Sequence, residues 1–207
     1  GEMARYPETE IQRLLGEKTG HQLYEYANGR DDSPVRGERE EAKGYSAETT
    51  TEEDIVTYEQ AFSLLLAQCD VVAARMRKDG QKCSCVSVTY RMLDFRTRSH
   101  QKKLGNPTDV TEEIFVQVKN LLYECWQCQP LRLIGVALTD LTSDDFRQMS
   151  LFENTENHEK QKKVDGVVDD IRKRFGNGMI VRGSTMKTAD KVARKAKAQM
   201  DLRDHNS

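Results

Sequence analysis

Leu131-Arg132-Leu133-Ile134-Gly135-Val136-Ala137-Leu138-Thr139-Asp140-Leu141 is the stretch whose reading decides the fold. Side chains alternate along a strand, so Ile134, Val136 and Leu138 share one face while Gly135, Ala137 and Thr139 share the other. The first face seeks a core. The second is small enough to let a bulky partner approach the backbone.

Working outward, Cys83 to Arg91 alternates in the same way, with Ser84, Val86, Val88 and Tyr90 on one face and Cys85, Ser87, Thr89 and Arg91 on the other. A strand is expected over Arg96 to Lys102, ended by Leu104-Gly105-Asn106-Pro107, and a first strand over Lys43 to Thr50. Two amphipathic helices fall between these strands. Thr50-x-x-Glu53 reads as a capping box opening a helix whose Ile55, Tyr58, Phe62, Leu65, Cys69, Val72 and Met76 form one apolar stripe. Asp109 with Glu112 reads as the cap of the other, whose stripe is Ile114, Val118, Leu121 and Cys125, and Pro130 forbids its continuation. The order is β-α-β-β-α-β. Helices with a single apolar stripe and strands with a single apolar side predict an α+β fold: a four-stranded sheet with both helices on one face and an open, small, basic face opposite.

The rest of the chain attaches to this unit. Pro7 to Leu15 and His21 to Ala27 read as short helices, and residues 30–41 as a linker of charged residues, Ser, Pro and Gly. After the sheet comes a polar, acidic segment over 144–163 containing Leu151 and Phe152. A last helix is expected over Val164 to Phe175, with Val164, Val167, Val168, Ile171 and Phe175 as its apolar stripe, followed by a short strand Met179–Val181. This gives the division 1–29, 30–41, 42–143, 144–163 and 164–207, the last being a helix-strand-helix extension.

The 207 residues carry a formal net charge of −2, with 37% hydrophobic and 32% charged residues. No apolar run approaches the roughly 20 residues that span a bilayer, and residues 1–5 lack a secretory pattern, so a cytoplasmic protein without membrane contact is expected. Charge is unevenly spread. Gln81 to Thr108 holds six basic residues against one acid, and the tail from Lys187 six against three. A basic sheet region suits a phosphate-tracking surface, and a solvated face of an antiparallel sheet reads the same way. Five cysteines scattered through apolar-periodic segments read as reduced thiols, with a four-thiolate zinc site of Cys83, Cys85, Cys125 and Cys128 as the minor alternative. His21, His100, His158 and His205 have no metal-ligand spacing. Two other functions compete: a non-catalytic nucleic-acid or protein interaction module resembling RNA-binding sheets, which the scarcity of stacking aromatics weakens, and a small enzyme with a Cys85 or Cys125 nucleophile, which lacks a histidine partner beyond His100.

Lys43-Gly44-Tyr45-Ser46-Ala47-Glu48-Thr49-Thr50 resembles the first strand of the little finger in Y-family translesion DNA polymerases of the bacterial polymerase IV and UmuC-like type, and Leu131 to Leu141 resembles its last. Gln12-Arg13-Leu14-Leu15-Gly16 and Leu23 to Asp31 resemble the end of that family's thumb. Gln148-Met149-Ser150-Leu151-Phe152 is similar to its sliding-clamp-binding peptide, with Met149 in place of the commoner leucine. Val168 to Gly176 resembles a C-terminal element of some members. The resemblance implies a C-terminal part of an error-prone repair polymerase, binding primer-template DNA and the bacterial sliding clamp. It implies Lys43, Gly44, Ser46, Thr49, Ser87, Thr89, Arg91, Arg96, Arg98 and Arg132 on DNA, and Gln148, Met149, Ser150, Leu151 and Phe152 on the clamp. The family's catalytic carboxylates and their Mg²⁺ belong to a palm that precedes the thumb, so no catalytic residue, metal site or cofactor is expected in these 207 residues. Glu52-Glu53-Asp54 and Asp144-Asp145 are read as a helix start and a solvated segment.

Overall fold

The computed structural model describes residues 1–33, 42–143 and 155–186. The chain divides into two compact units, 1–41 and 42–207.

In the first unit, α1 (Glu8–Leu15) and α2 (Glu17–Ala27) form a helical hairpin around Gly16, whose φ of +86° few other residues tolerate. The helices touch at Gly20: a Cβ there would lie 2.4 Å from the Gln12 Cα. Ile11 is the buried apolar residue of α1.

The second unit contains the four-stranded sheet, in the order β1 (Tyr45–Ile55), β4 (Leu131–Thr142), β2 (Lys82–Met92), β3 (Thr97–Thr108), every neighbouring pair antiparallel. The helices α3 (Tyr58–Lys78) and α4 (Thr111–Cys125) pack on one face. The core joins Leu65, Cys69, Val72 and Met76 of α3 and Ile114, Val118 and Leu122 of α4 to Val86, Val88, Tyr90, Ile134, Val136 and Leu138 of the sheet. Tyrosines packed in or against the core find acceptors at the end of α4, where helix carbonyls lack intrahelical donors: buried Tyr90 donates to the Cys125 carbonyl at 2.9 Å and half-buried Tyr58 to that of Trp126 at 2.5 Å.

The predicted fold and element order hold, with corrections at element ends. β1 runs on to Ile55, so Glu52, Glu53 and Asp54 lie on a strand and Thr50 caps nothing. The β-branched run Thr49 to Thr51 favours extension, and the capping box is formed by Thr57 and Gln60 instead. A shift in strand pairing between Cys83 and Cys85 turns Cys83 into the core, where Ser84 was expected. β3 continues through Leu104 to Pro107. It is an edge strand, and an edge position tolerates a proline without an amide donor. Residues 179–181 form a bend and irregular chain rather than a strand.

The final correction concerns the C-terminal helix. α5 (Thr155–Phe175) starts nine residues before Val164 and docks through charges. Arg77 of α3 donates to Asp169 at 2.6 Å and to the Asp109 carbonyl and Thr111 hydroxyl of the α4 entry at 2.7 and 3.0 Å. Asp165 of α5 accepts the Thr111 amide at 2.8 Å and so caps α4, the role the sequence suggested for Asp109. Arg172 donates to Asp70 of α3 at 2.5 Å and to the Ile180 carbonyl, and Arg182 donates to Asp165 at 3.1 Å. These side chains are largely withdrawn from water, Asp165 being 4% and Arg77 11% exposed.

Removing one member of a buried ion pair strands the other, which generally costs about 3 kcal/mol or more. Asp165→Ala should therefore lower the unfolding free energy by about 3 kcal/mol in urea titration, whereas Asp170→Ala on the exposed side of α5 should change it by less than about 0.5 kcal/mol. Burial also pushes the Cys83 thiol up to about 12, and raises Cys69 as well. Accessibility then ranks the thiols: a thiol reagent should react with the half-buried Cys125 and Cys128 in the native protein, and with the buried Cys69, Cys83 and Cys85 only after denaturant is added.

Candidate nucleic-acid interface

Directly paired residues of antiparallel strands share a face, so the pairing defines rows across the sheet. On the side opposite α3 and α4, one row is Ser46, Ala137, Ser87 and Gln101. The next is Glu48, Gly135, Thr89 and Ser99, and the third Thr50, Leu133, Arg91 and Thr97. Cys85 pairs with Thr139 and Lys103 to make a fourth. The centre of this surface is floored by small side chains. At Gly135 a Cβ would lie 2.7 Å from the Glu48 Cβ and 3.0 Å from the Ala47 carbonyl oxygen, so the strands there leave no room for a larger residue.

Hydroxyls and one guanidinium are held by cross-strand bonds. Thr89 donates to the Ser99 hydroxyl at 3.0 Å, and the Arg91 Nε donates to Thr97 at 2.8 Å, which orients the guanidinium along the row. Lys103 stands 3.5 Å from Asp140, with both groups mostly in water, a geometry that contributes little stability and leaves the cation available to a stronger anion.

The residues singled out from sequence divide between the two faces. Ser46, Ser87, Thr89 and Arg91 lie together on the open face. Lys43 and Gly44 are exposed where the chain enters β1, and Gly44 runs against β4, where a Cβ would meet the Leu138 carbonyl oxygen at 2.9 Å. Arg132 is exposed beside the irregular pairing at the start of β4. Thr49 is a correction: it is 4% exposed on the helix-covered face, where the Gln68 side-chain amide donates to its hydroxyl at 3.1 Å. Arg98 is another, because it pairs with core Tyr90 and so projects toward the helix side of the edge strand, as do His100 and Lys102 by their pairing with Val88 and Val86. Arg96 sits in the hairpin turn, 3.4 Å from Asp94.

Three participants escaped the sequence reading. Lys103 and Gln101 belong to the open face, and so does Glu48, which places a carboxylate on a surface expected to be small and basic. Strict alternation back from Ser87 would have found Lys103 and Gln101 had the hairpin register been known. That register is set by a turn with Phe95 at φ +63°, a conformation usually signalled by Gly or Asn and unreadable from Phe. The peptide Gln148 to Phe152 lies outside the described residues, and so does Asp144-Asp145. Among the described residues, no group of three or more His, Cys, Asp or Glu side chains is arranged to hold a metal ion, and no helix is long and apolar enough to cross a membrane.

Comparison with known proteins gives this surface a context. Residues 42–151 match the model of the impB/mucB/samB family C-terminal domain. The chain is similar to DNA polymerase IV of Clostridium acetobutylicum, with 34% identity over 191 residues that span 92% of this chain and 48% of that protein. It is similar to DNA polymerase IV 2 of Bacillus subtilis, with 30% identity over 201 residues, 95% of this chain and 48% of that protein. Desulfatibacillum aliphaticivorans DNA polymerase IV is 32% identical over 165 residues, 79% of this chain and 41% of that protein. The chain thus spans about half the length of the curated relatives it matches. With the family domain covering more than half of its residues, from the approach to β1 to the end of the sheet and beyond, this protein belongs to the Y-family polymerases of the impB/mucB/samB type.

Proposed function

We propose that residues 42–143 hold the backbone of primer-template DNA against the open sheet face, and that Gln148 to Phe152 tethers the polymerase to the bacterial sliding clamp in error-prone translesion synthesis. The observation that carries the first part is the combination of a floor of Ser87, Thr89, Gly135, Ala137 and Ser99 with cations at Arg91 and Lys103. Small residues let phosphates approach main chain and hydroxyls, while Arg and Lys neutralise them without reading bases. Exposed Lys43 and Arg132 extend the same surface. Glu48 repels phosphate and marks where the backbone does not run. Arg98 and Lys102 reach the DNA only if it wraps over the free edge of β3, which makes their contribution secondary. In this reading the chain binds and positions, and phosphoryl transfer with Mg²⁺ belongs to other parts of the full-length polymerase.

For the clamp, Leu151 and Phe152 supply two apolar anchors of the sort that dominate small peptide interfaces, and Gln148 a polar contact at the rim. Such a contact is weak alone. Joined to a DNA-binding surface, it gains from a high effective concentration near the primer end.

Fluorescence anisotropy on primer-template DNA tests the face. Arg91→Ala/Lys103→Ala should weaken binding by roughly tenfold and reduce the slope of log affinity against log salt by about 2, one unit for each lost phosphate contact. Arg98→Ala/Lys102→Ala should have a smaller effect, and the reverse ranking would move DNA to the other side of β3. Leu151→Ala/Phe152→Ala should remove binding to immobilised sliding clamp while leaving DNA affinity unchanged. Loss of DNA binding in that variant would show that these residues support the sheet.

A further inference from the structure

The β2–β3 hairpin ends in a turn that sets two large apolar side chains in water. Phe95 is 71% and Leu93 46% exposed, and neither joins the core. The turn itself is fully bonded. The Phe95 amide donates to the Met92 carbonyl at 3.1 Å, the Met92 amide to the Arg96 carbonyl at 3.1 Å, and the Asp94 carboxylate accepts the Arg96 amide at 3.0 Å. In a loop of this kind the left-handed position, here Phe95 at φ +63°, is the place for Gly or Asn. Phenylalanine there carries a backbone cost and gains no burial within the chain. A large aromatic kept exposed in a conformation that disfavours it points to a contact made outside the chain.

Size and surroundings narrow what that contact is. A stable protein interface, whether with a second copy or another partner, takes about 800 Å² from each side, whereas an aromatic side chain supplies only about 150–250 Å². One ring and one leucine are too little for a protein to dock on and enough for a single flat ring to stack. The turn also continues the open face: Arg91 and Thr97, which it joins, belong to the row nearest the hairpin end, with the Arg91 Nε held on the Thr97 hydroxyl at 2.8 Å. Arg91 and Arg96 bracket the apolar pair. The acid between them, Asp94, is engaged by the Arg96 amide and lies 3.4 Å from the Arg96 guanidinium. Glu52, Glu53 and Asp54 are exposed at the same end of the sheet but on β1, beyond β4. An aromatic flanked by guanidinium groups suits a nucleotide, whose base stacks while its phosphates are neutralised alongside.

We propose that Phe95 stacks on an unpaired base of the template strand where single strand meets duplex at the end of the open sheet face, with Arg91 and Arg96 on the flanking phosphates. The proposal rests on the DNA-binding reading of that face and adds to it a contact with a base. A base inside a duplex has both faces covered by its neighbours, so stacking on Phe95 selects unpaired over paired nucleotides. Every base has a π-face, so it does not select sequence.

The probe is a fluorescein-labelled primer-template duplex with a 5′ template overhang of thymidines, beside the same duplex whose overhang carries abasic sites on an identical phosphate backbone. The full chain should bind the thymidine form roughly tenfold more tightly, the size of one base–aromatic stack. Phe95→Ala should reduce that ratio to about 1 while leaving the slope of log affinity against log salt unchanged, because no phosphate contact is lost. Phe95→Asn, which suits the left-handed backbone, should lose the ratio in the same way with an unfolding temperature at or above that of the wild type, which separates a lost contact from a damaged turn. Phe95→Trp should keep the ratio and show quenched indole fluorescence with the thymidine form alone. Trp126, the single native tryptophan, is buried at 1% exposure and supplies a constant background. Equal binding of the two overhangs by the wild type, or an unchanged ratio in Phe95→Ala, overturns the proposal and leaves the DNA face standing, whereas binding to neither duplex overturns both. A dimer in sedimentation that Phe95→Ala dissolves overturns it as well and assigns the hairpin tip to a second copy.

Discussion

β4 is hydrogen-bonded along both edges, to β1 on one side and β2 on the other, although it is the last of the four strands in sequence. β1 and β2 are parallel to each other and pair only through it. The sheet is therefore incomplete until residues 131–142 insert, and the pairing spans a long stretch of chain, with Tyr45 opposite Leu138. Contacts of such separation form only after considerable loop-closure entropy has been lost. Its two faces have different duties. Ile134, Val136 and Leu138 supply the centre of the core, while Gly135 and Ala137 keep the opposite surface flat.

In the proposed DNA-binding role, that flatness would matter more than the total number of cations. The basic residues of β3 are divided by the strand period, Lys103 to one side and Arg98 and Lys102 to the other, so the strongly basic segment 81–108 does not make one basic face. The open surface holds few cations around a small polar floor, with Glu48 at its border. Contacts of this kind, in the function proposed above, would position a duplex without selecting its sequence.

On the helix side, α5 is joined to α3 and α4 by charged groups. Asp165 serves three partners, the Thr111 amide, Arg77 and Arg182, and Asp70 meets both Arg172 and Arg182. Buried ion pairs of this sort contribute modest net stability, since desolvation offsets much of the Coulomb attraction, but their geometry admits few alternatives. An apolar helix face can slide or rotate on another. A fork of Asp165, Asp169 and Arg172 against Arg77 and Asp70 permits one seating, and that seating is what leaves Val164, Val167 and Phe175 in water.

Local pattern in the sequence was sufficient for the element order and the helix-covered face, while the family rested on the resemblance of particular stretches such as Lys43 to Thr50 and Leu131 to Leu141. Alternation in Cys85 to Arg91 and Ile134 to Thr139, and three-to-four spacing in Tyr58 to Met76 and Ile114 to Cys125, are properties of neighbours along the chain, and burial of one face acts on them directly. Three features belonged to the tertiary structure. Thr49 shares the inward face of Tyr45 and Ala47 by strand alternation, but that Gln68 of α3 meets its hydroxyl there was decided by the fold. Arg98 and Lys103 are assigned to opposite faces by a hairpin register that a left-handed Phe95 sets. The C-terminal helix buries its charged stripe because Arg77 and Asp70, some ninety to a hundred residues away in sequence, present complementary charge. Periodicity records which face of a helix is apolar, but which face is buried depends on what the rest of the fold offers it, and here the fold offers ions.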